Sequence, residues 1–147
     1  MKKYAAALAL GLAALATMPS QAATATGTFN VTINLTSACQ VNTAPTAAFT
    51  YTSFQTTAAT FSSSFDILCT NTLPITSITL DSTSVTDSAT NLAYTLALGA
   101  VPAIGTGVAQ SIPVTGSMAA NQAGTCLTST CTNALSTNKT RTITITY

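Results

Sequence analysis

Histidine and tryptophan are absent from this 147-residue chain, and only 5% of its residues are charged. Soluble domains usually carry about 25% charged residues. Lacking histidine, the chain has neither the usual general base at neutral pH nor the commonest metal ligand, and no conventional Ser-His-Asp triad can form. Lys139 is left as a remote candidate base. A formal charge of +1 excludes the basic footprint of a nucleic-acid-binding protein. No glycine-rich phosphate loop is present either. Asp66, Asp81 and Asp87 are the only acidic residues; none forms a close pair in sequence, and turn-capping or solvated roles are expected of them. These absences point away from catalysis, cofactors and bound metals. Threonine, serine and alanine occupy the space that charge leaves, and a 47% hydrophobic content is too high for a disordered chain.

The N-terminus has the pattern of a secretory signal. Lys2 and Lys3 precede an uninterrupted run of Ala, Leu and Gly from Ala5 to Ala16, and Pro19 comes just before the small-x-small stretch Ser20-Gln21-Ala22. The run is too short to span a bilayer comfortably, so no permanent membrane anchor is expected. Cleavage after Ala22, with Ala23 as the alternative, would leave 125 residues, with Lys139 and Arg141 set against the three aspartates.

Four cysteines in a short exported chain suggest two disulfides, for which three connectivities exist. Cys126 and Cys131 are five residues apart in a Thr/Ser/Asn stretch that suits a local clasp, which favours Cys39–Cys69 as the other pair. Their spacing and an oxidising compartment argue against zinc.

Beyond the signal no long helix is apparent, and period-two segments alternate with turn-rich stretches. From Thr28 to Leu35 every odd position is apolar and every even one polar, and the same phase continues through Ser37–Asn42. Further strands are expected at 48–54, 61–69, 75–80, 91–98, 110–115 and 140–147, and loops at 99–107 and 119–138. Pro113, inside one of these runs, suggests an edge strand or a bulge. Seven or eight short strands with such spacing predict an all-β, immunoglobulin-like two-sheet sandwich.

Both ends of the mature chain read as one-sided strands. The first carries Phe29, Val31, Ile33 and Leu35, and the last carries Ile143, Ile145 and Tyr147. Natural sheets protect exposed edges with lysine, proline or bulges, yet the sequence from Thr24 to Leu35 contains no charge and no proline. On pattern alone, that segment is either an ordinary first strand or a strand meant for another subunit. A last strand closing the chain leaves any further neighbour to another molecule.

The run Gly27-Thr28-Phe29-Asn30-Val31-Thr32-Ile33-Asn34-Leu35-Thr36-Ser37-Ala38-Cys39-Gln40-Val41 resembles the spore coat U domain family, which includes major subunits of archaic chaperone–usher pili. Phe65–Cys69, Ser111–Gly116, Ala119–Gly124 and the closing Thr-Ile-Thr-Ile-Thr-Tyr continue the likeness in order. Residues 44–60 lack the family's glycine-bearing pattern, and the Cys126–Cys131 loop reads as an insertion.

The resemblance implies a sandwich lacking its last strand, at residues 37–147, preceded by a donor-strand extension at 23–36. Phe29, Val31, Ile33 and Leu35 would then be the donor side chains. Ile143, Ile145 and Tyr147 would line the acceptor groove and meet the chaperone, with the Tyr147 carboxylate as its anchor. The implied partners are identical subunits in a filament, a periplasmic chaperone and an outer-membrane usher. The implied location is the cell surface, reached through the periplasm, with adhesion or biofilm formation as the role. A donor strand leaves no room for glycans, so the acceptor triplets at Asn30 and Asn34 read as chance, as does the one at Asn138. Two rival readings remain: a self-contained secreted or coat protein whose first strand completes its own fold, and a tip adhesin, for which 125 residues leave little room.

Overall fold

A computed structural model describes residues 23–42 and 44–147; the expected signal at 1–22 lies outside the described residues. The chain divides into two units, Met1–Asn34 and Leu35–Tyr147. In the first, residues 23–34 contain no helix or strand. The described residues of the second form seven strands: β1 (Cys39–Val41), β2 (Ala59–Cys69), β3 (Ser77–Leu80), β4 (Ser84–Thr86), β5 (Ala93–Leu98), β6 (Gln110–Met118) and β7 (Ile143–Thr146). No helix occurs among the described residues.

The strands form two antiparallel sheets. One has five strands in the order β1-β2-β6-β5-β4, and the other pairs β3 with β7. Alternation in β2 directs Phe65, Ile67 and Cys69 inward, and β6 does the same with Ile112 and Val114. Ile75 and Ile78 complete the buried cluster, while Ile143 and Ile145 of β7 pack against it from the two-stranded sheet. A core shared by two sheets defines the expected immunoglobulin-like sandwich. Burying each large apolar side chain contributes about 1.5–3 kcal/mol, so this cluster is the main source of the fold's stability.

The disulfides tie the chain in the favoured pattern. Cys39 faces Cys69 directly across the β1–β2 ladder and bonds to it, and Cys126 bonds to Cys131. By loop-closure entropy, the first stabilises by about 3–4 kcal/mol and the second by about 2. A thirty-residue loop closed at the start of the domain also holds the short β1 on its sheet.

Expectations fail in detail at three places. Residues 28–35, expected as a one-sided strand, form none within the single chain. Residues 48–54 are not a strand. They are held by side chains: the Tyr51 hydroxyl donates to the Ala119 carbonyl at 2.8 Å and accepts from the Gln122 N–H at 2.9 Å, and Thr52–Gln55 forms a turn. The three-residue β4 is an addition, too short for alternation to reveal. Pro113 occupies neither an edge nor a bulge, because β6 is the central strand of its sheet. Its carbonyl accepts from the Gly99 N–H at 2.8 Å, just beyond the last residue of β5. In an antiparallel pair, a residue's N–H and C=O face the same neighbour. The missing proline N–H therefore falls where β5 has already finished, and costs the ladder little.

Gly116 is the one β6 position where a side chain cannot fit. A Cβ there would run into the Phe61 ring and come within 2.9 Å of Phe49. Phe49 and Phe61 meet edge to face with ring centroids 4.9 Å apart, so the glycine makes space for an aromatic pair. Gly116→Val is expected to destabilise the domain by about 1–3 kcal/mol through overpacking, measurable by thermal or denaturant unfolding. Unchanged stability would mean that the two rings can move aside.

Candidate functional site: an open strand edge and its groove

The feature that distinguishes β7 lies in its backbone. On one side, the strand pairs with β3 in the register Ser77↔Thr146, Ile78↔Ile145, Thr79↔Thr144 and Leu80↔Ile143. The Thr146 carbonyl accepts from the Thr76 N–H at 2.8 Å, and the Thr142 carbonyl from the Asp81 N–H at 3.0 Å. Main-chain groups of successive residues in a strand face opposite edges. The even-numbered threonines therefore bond toward β3, and Ile143 and Ile145 turn their N–H and C=O groups to the other edge. Among the described residues no strand pairs with that edge. The side chains of the same two isoleucines point inward to the core.

Beside the start of β7 is a groove of about 600 Å³, lined by Phe61, Leu80, Leu96, Val114 and Ile143, with Lys139, Arg141 and the chain's own Val41 and residues 44–47 also contributing. Its lining is a continuation of the sandwich interior, since Leu96 and Val114 are core residues. Arg141 is held by an ion pair to Asp81 at 3.3 Å and by donation from Nη2 to the Asn138 carbonyl at 2.7 Å. Asp81 Oδ1 also accepts from the Thr142 N–H at 3.2 Å. These contacts fix the approach to β7 without filling the groove.

Of the residues singled out in the sequence, Ile143 lines the groove, Ile145 packs against the core from the same strand, and Tyr147 is half exposed beyond the strand's end. Phe29, Val31, Ile33 and Leu35 are 70–86% exposed, an apolar stripe with no ladder partner among the described residues. Lys139 donates through Nζ to the Ala134 carbonyl at 2.7 Å and has no nucleophile beside it among the described hydrogen bonds.

Sequence reasoning undervalued Asp87. It is 4% exposed, and Oδ1 accepts from the Ala89 N–H at 3.0 Å, the Thr90 N–H at 2.8 Å and the Thr90 hydroxyl at 2.9 Å. Burial pushes its carboxyl pKa up, but these bonds and the nearby Ser136 hydroxyl outweigh burial and hold it below the usual carboxylate value. The Ser136 hydroxyl is itself committed to Asn138 Oδ1 at 2.6 Å, and Asp87 Oδ2 has no partner among the described residues. The sequence signal available was Asp87-Ser88-Ala89-Thr90, an aspartate able to bond its own backbone two and three residues on.

A carboxylate with a lowered folded-state pKa stabilises fully above its unfolded-state pKa and loses that contribution as pH falls through the folded value. Asp87→Ala is therefore expected to cost about 1–3 kcal/mol at pH 7. It should also flatten part of the acid limb of a stability–pH curve below about pH 4. Unfolding curves between pH 2 and 7 test both effects, and parallel wild-type and mutant curves would contradict the assignment.

The described residues form an all-β module joined across two sheets by an apolar core, with one strand edge that no described strand pairs. A family model of the Spore Coat Protein U domain matches residues 25–102, and the chain belongs to that family. The family supplies exported pilus and coat components rather than enzymes, which makes this chain a structural surface subunit. No curated protein and no solved structure matches the chain.

Proposed function

We propose that the protein is the repeating subunit of a chaperone–usher type surface filament. Residues 23–36 of one copy add as a strand to β7 of the next. The domain from residue 37 onward is then a sandwich completed only by its neighbour, and residues 1–22 direct export. A periplasmic chaperone holds the β7 edge until an outer-membrane usher exchanges it for the next subunit's extension. The filament serves attachment or biofilm formation.

The open edge of β7, with inward-facing Ile143 and Ile145 beside an apolar groove, is the observation that carries this reading. The exposed stripe of Phe29, Val31, Ile33 and Leu35 has the period-two spacing that a vacant strand position requires. Its burial would contribute on the order of 6–12 kcal/mol as an upper bound, and main-chain pairing would set direction and register. Alternation runs from Thr28 to Leu35, and Cys39 and Val41 return to its phase after the break at Ser37-Ala38. A head-to-tail contact of this kind does not close on itself, so it builds fibres.

Replacing Val31 and Ile33 together by Asp is expected to abolish filaments while leaving a chaperone-bound subunit that folds. Negative-stain microscopy of sheared surface material, with N-terminal sequencing of any filament, reads the result. Filaments of normal length from the double mutant would refute donor-strand assembly and favour a self-contained coat protein.

A further inference from the structure

A second cavity, of about 390 Å³, includes no residue of β7 and is walled in part by Phe49, Leu92, Tyr94, Thr132 and Asn133. Small-molecule sites ordinarily enclose about 300–1,000 Å³. The wall is of mixed character. Phe49, Leu92 and Tyr94 are half-buried and supply apolar surface, and Thr132 and Asn133 are exposed beside them. The Phe49 and Tyr94 rings lie 5.7 Å apart at a tilt of 43°.

What the cavity presents is uncharged. No Lys or Arg lines it. Asp87 does, but its Oδ2 is closed off from solvent and its Oδ1 takes three hydrogen bonds from its own turn, so that carboxylate serves the fold. The Tyr51 hydroxyl is likewise committed, to Ala119 and Gln122.

Three polar groups remain open. The Tyr94 hydroxyl and the Asn133 side-chain amide have no hydrogen-bond partner among the described residues, and neither is closed off from solvent. The Thr132 hydroxyl accepts from the Ala134 N–H at 3.4 Å and keeps its own proton free. Burial, chiefly, raises the Tyr94 phenol above its usual pKa, so it stays protonated and able to donate at neutral pH. Hydroxyls and carboxamides both donate and accept. An anion only accepts and an ammonium only donates, whereas a ligand hydroxyl does both, as these three groups do. A pure hydrocarbon would leave all three without partners, which is costly on desolvation.

We propose that this cavity binds a neutral pyranose sugar. Ring hydroxyls bond to Tyr94, Thr132 and Asn133, and a C–H face of the ring rests against Phe49 and Leu92. Thr132 and Asn133 directly follow Cys131, so the Cys126–Cys131 disulfide fixes where that side of the wall begins. That loop is the one that reads as an insertion against the family pattern, which makes the cavity a feature of this chain. The site does not depend on how subunits assemble.

The test is saturation-transfer difference NMR on the protein recovered from the cell surface. The probes are the methyl pyranosides of glucose, galactose, mannose and N-acetylglucosamine. n-Pentanol and N-acetylglycinamide serve as an apolar and a peptide-like counterpart. Saturable transfer to at least one glycoside is expected, with an affinity on the order of millimolar for so small a ligand. Neither counterpart should respond. Tyr94→Phe removes a hydroxyl and keeps the ring, and should weaken binding about two- to tenfold, the value of one neutral hydrogen bond. Asn133→Trp fills the cavity from an exposed loop and should abolish binding. Either variant decides the matter if the other fails to fold. Overturning results would be no saturable glycoside binding, wild-type affinity in both variants, or equal response to pentanol or the amide. Filament formation is read separately and is expected to survive both substitutions.

Discussion

Hydrogen bonding at one edge of β7 governs the rest of the molecule. Ile143 and Ile145 put their side chains into a shared core and their main-chain groups on the edge facing away from β3. Strand edges with free N–H and C=O groups recruit other strands, and natural sheets commonly blunt them with charge or proline. The β7 sequence Ile143-Thr144-Ile145-Thr146 does neither. The groove beside it is lined by core residues such as Val114 and Leu96. In the proposed assembly, fold stability and strand addition draw on the same apolar surface.

That coupling accounts for the unusual composition. A chain with so few charges and an unprotected edge risks indiscriminate aggregation. Threonine and serine on the outward faces, such as Thr79 opposite Thr144, hydrate the sheets while leaving the ladders intact. The few charged groups have local structural tasks: Arg141 and Asp81 brace the approach to β7, and Asp87 organises a turn. A cross-strand disulfide anchors β1, whose three residues would otherwise make a weak edge.

Much of the architecture could be read from alternation alone. The run at 61–69 predicts a strand, and its alternate residues Phe65, Ile67 and Cys69 form the core. The residues of β7 and both cysteine pairs were equally legible, because they rest on period-two spacing and on sequence separation. What escaped depends on contacts made across the chain. Tyr51 satisfies its loop through Ala119 and Gln122, some seventy positions away, so its segment needs no ladder. Pro113 is tolerated in a central strand only because β5 stops at Leu98. The cavity at Asp87 gathers Phe49, Tyr94 and Asn133 from three separate stretches of sequence. The donor stripe at Phe29 to Leu35 was visible as a pattern, but its partner lies outside a single chain in the reading favoured here.

Amide hydrogen exchange on β7, compared between assembled material and the monomeric subunit after chaperone release, is the most direct test of that reading. The account predicts slow exchange at Thr144 in both states, since its N–H faces β3. At Ile143 and Ile145 it predicts fast exchange in the released subunit and strong protection once assembled. Equal exchange at the two isoleucines in both states would contradict it, because the edge would then have no strand to gain.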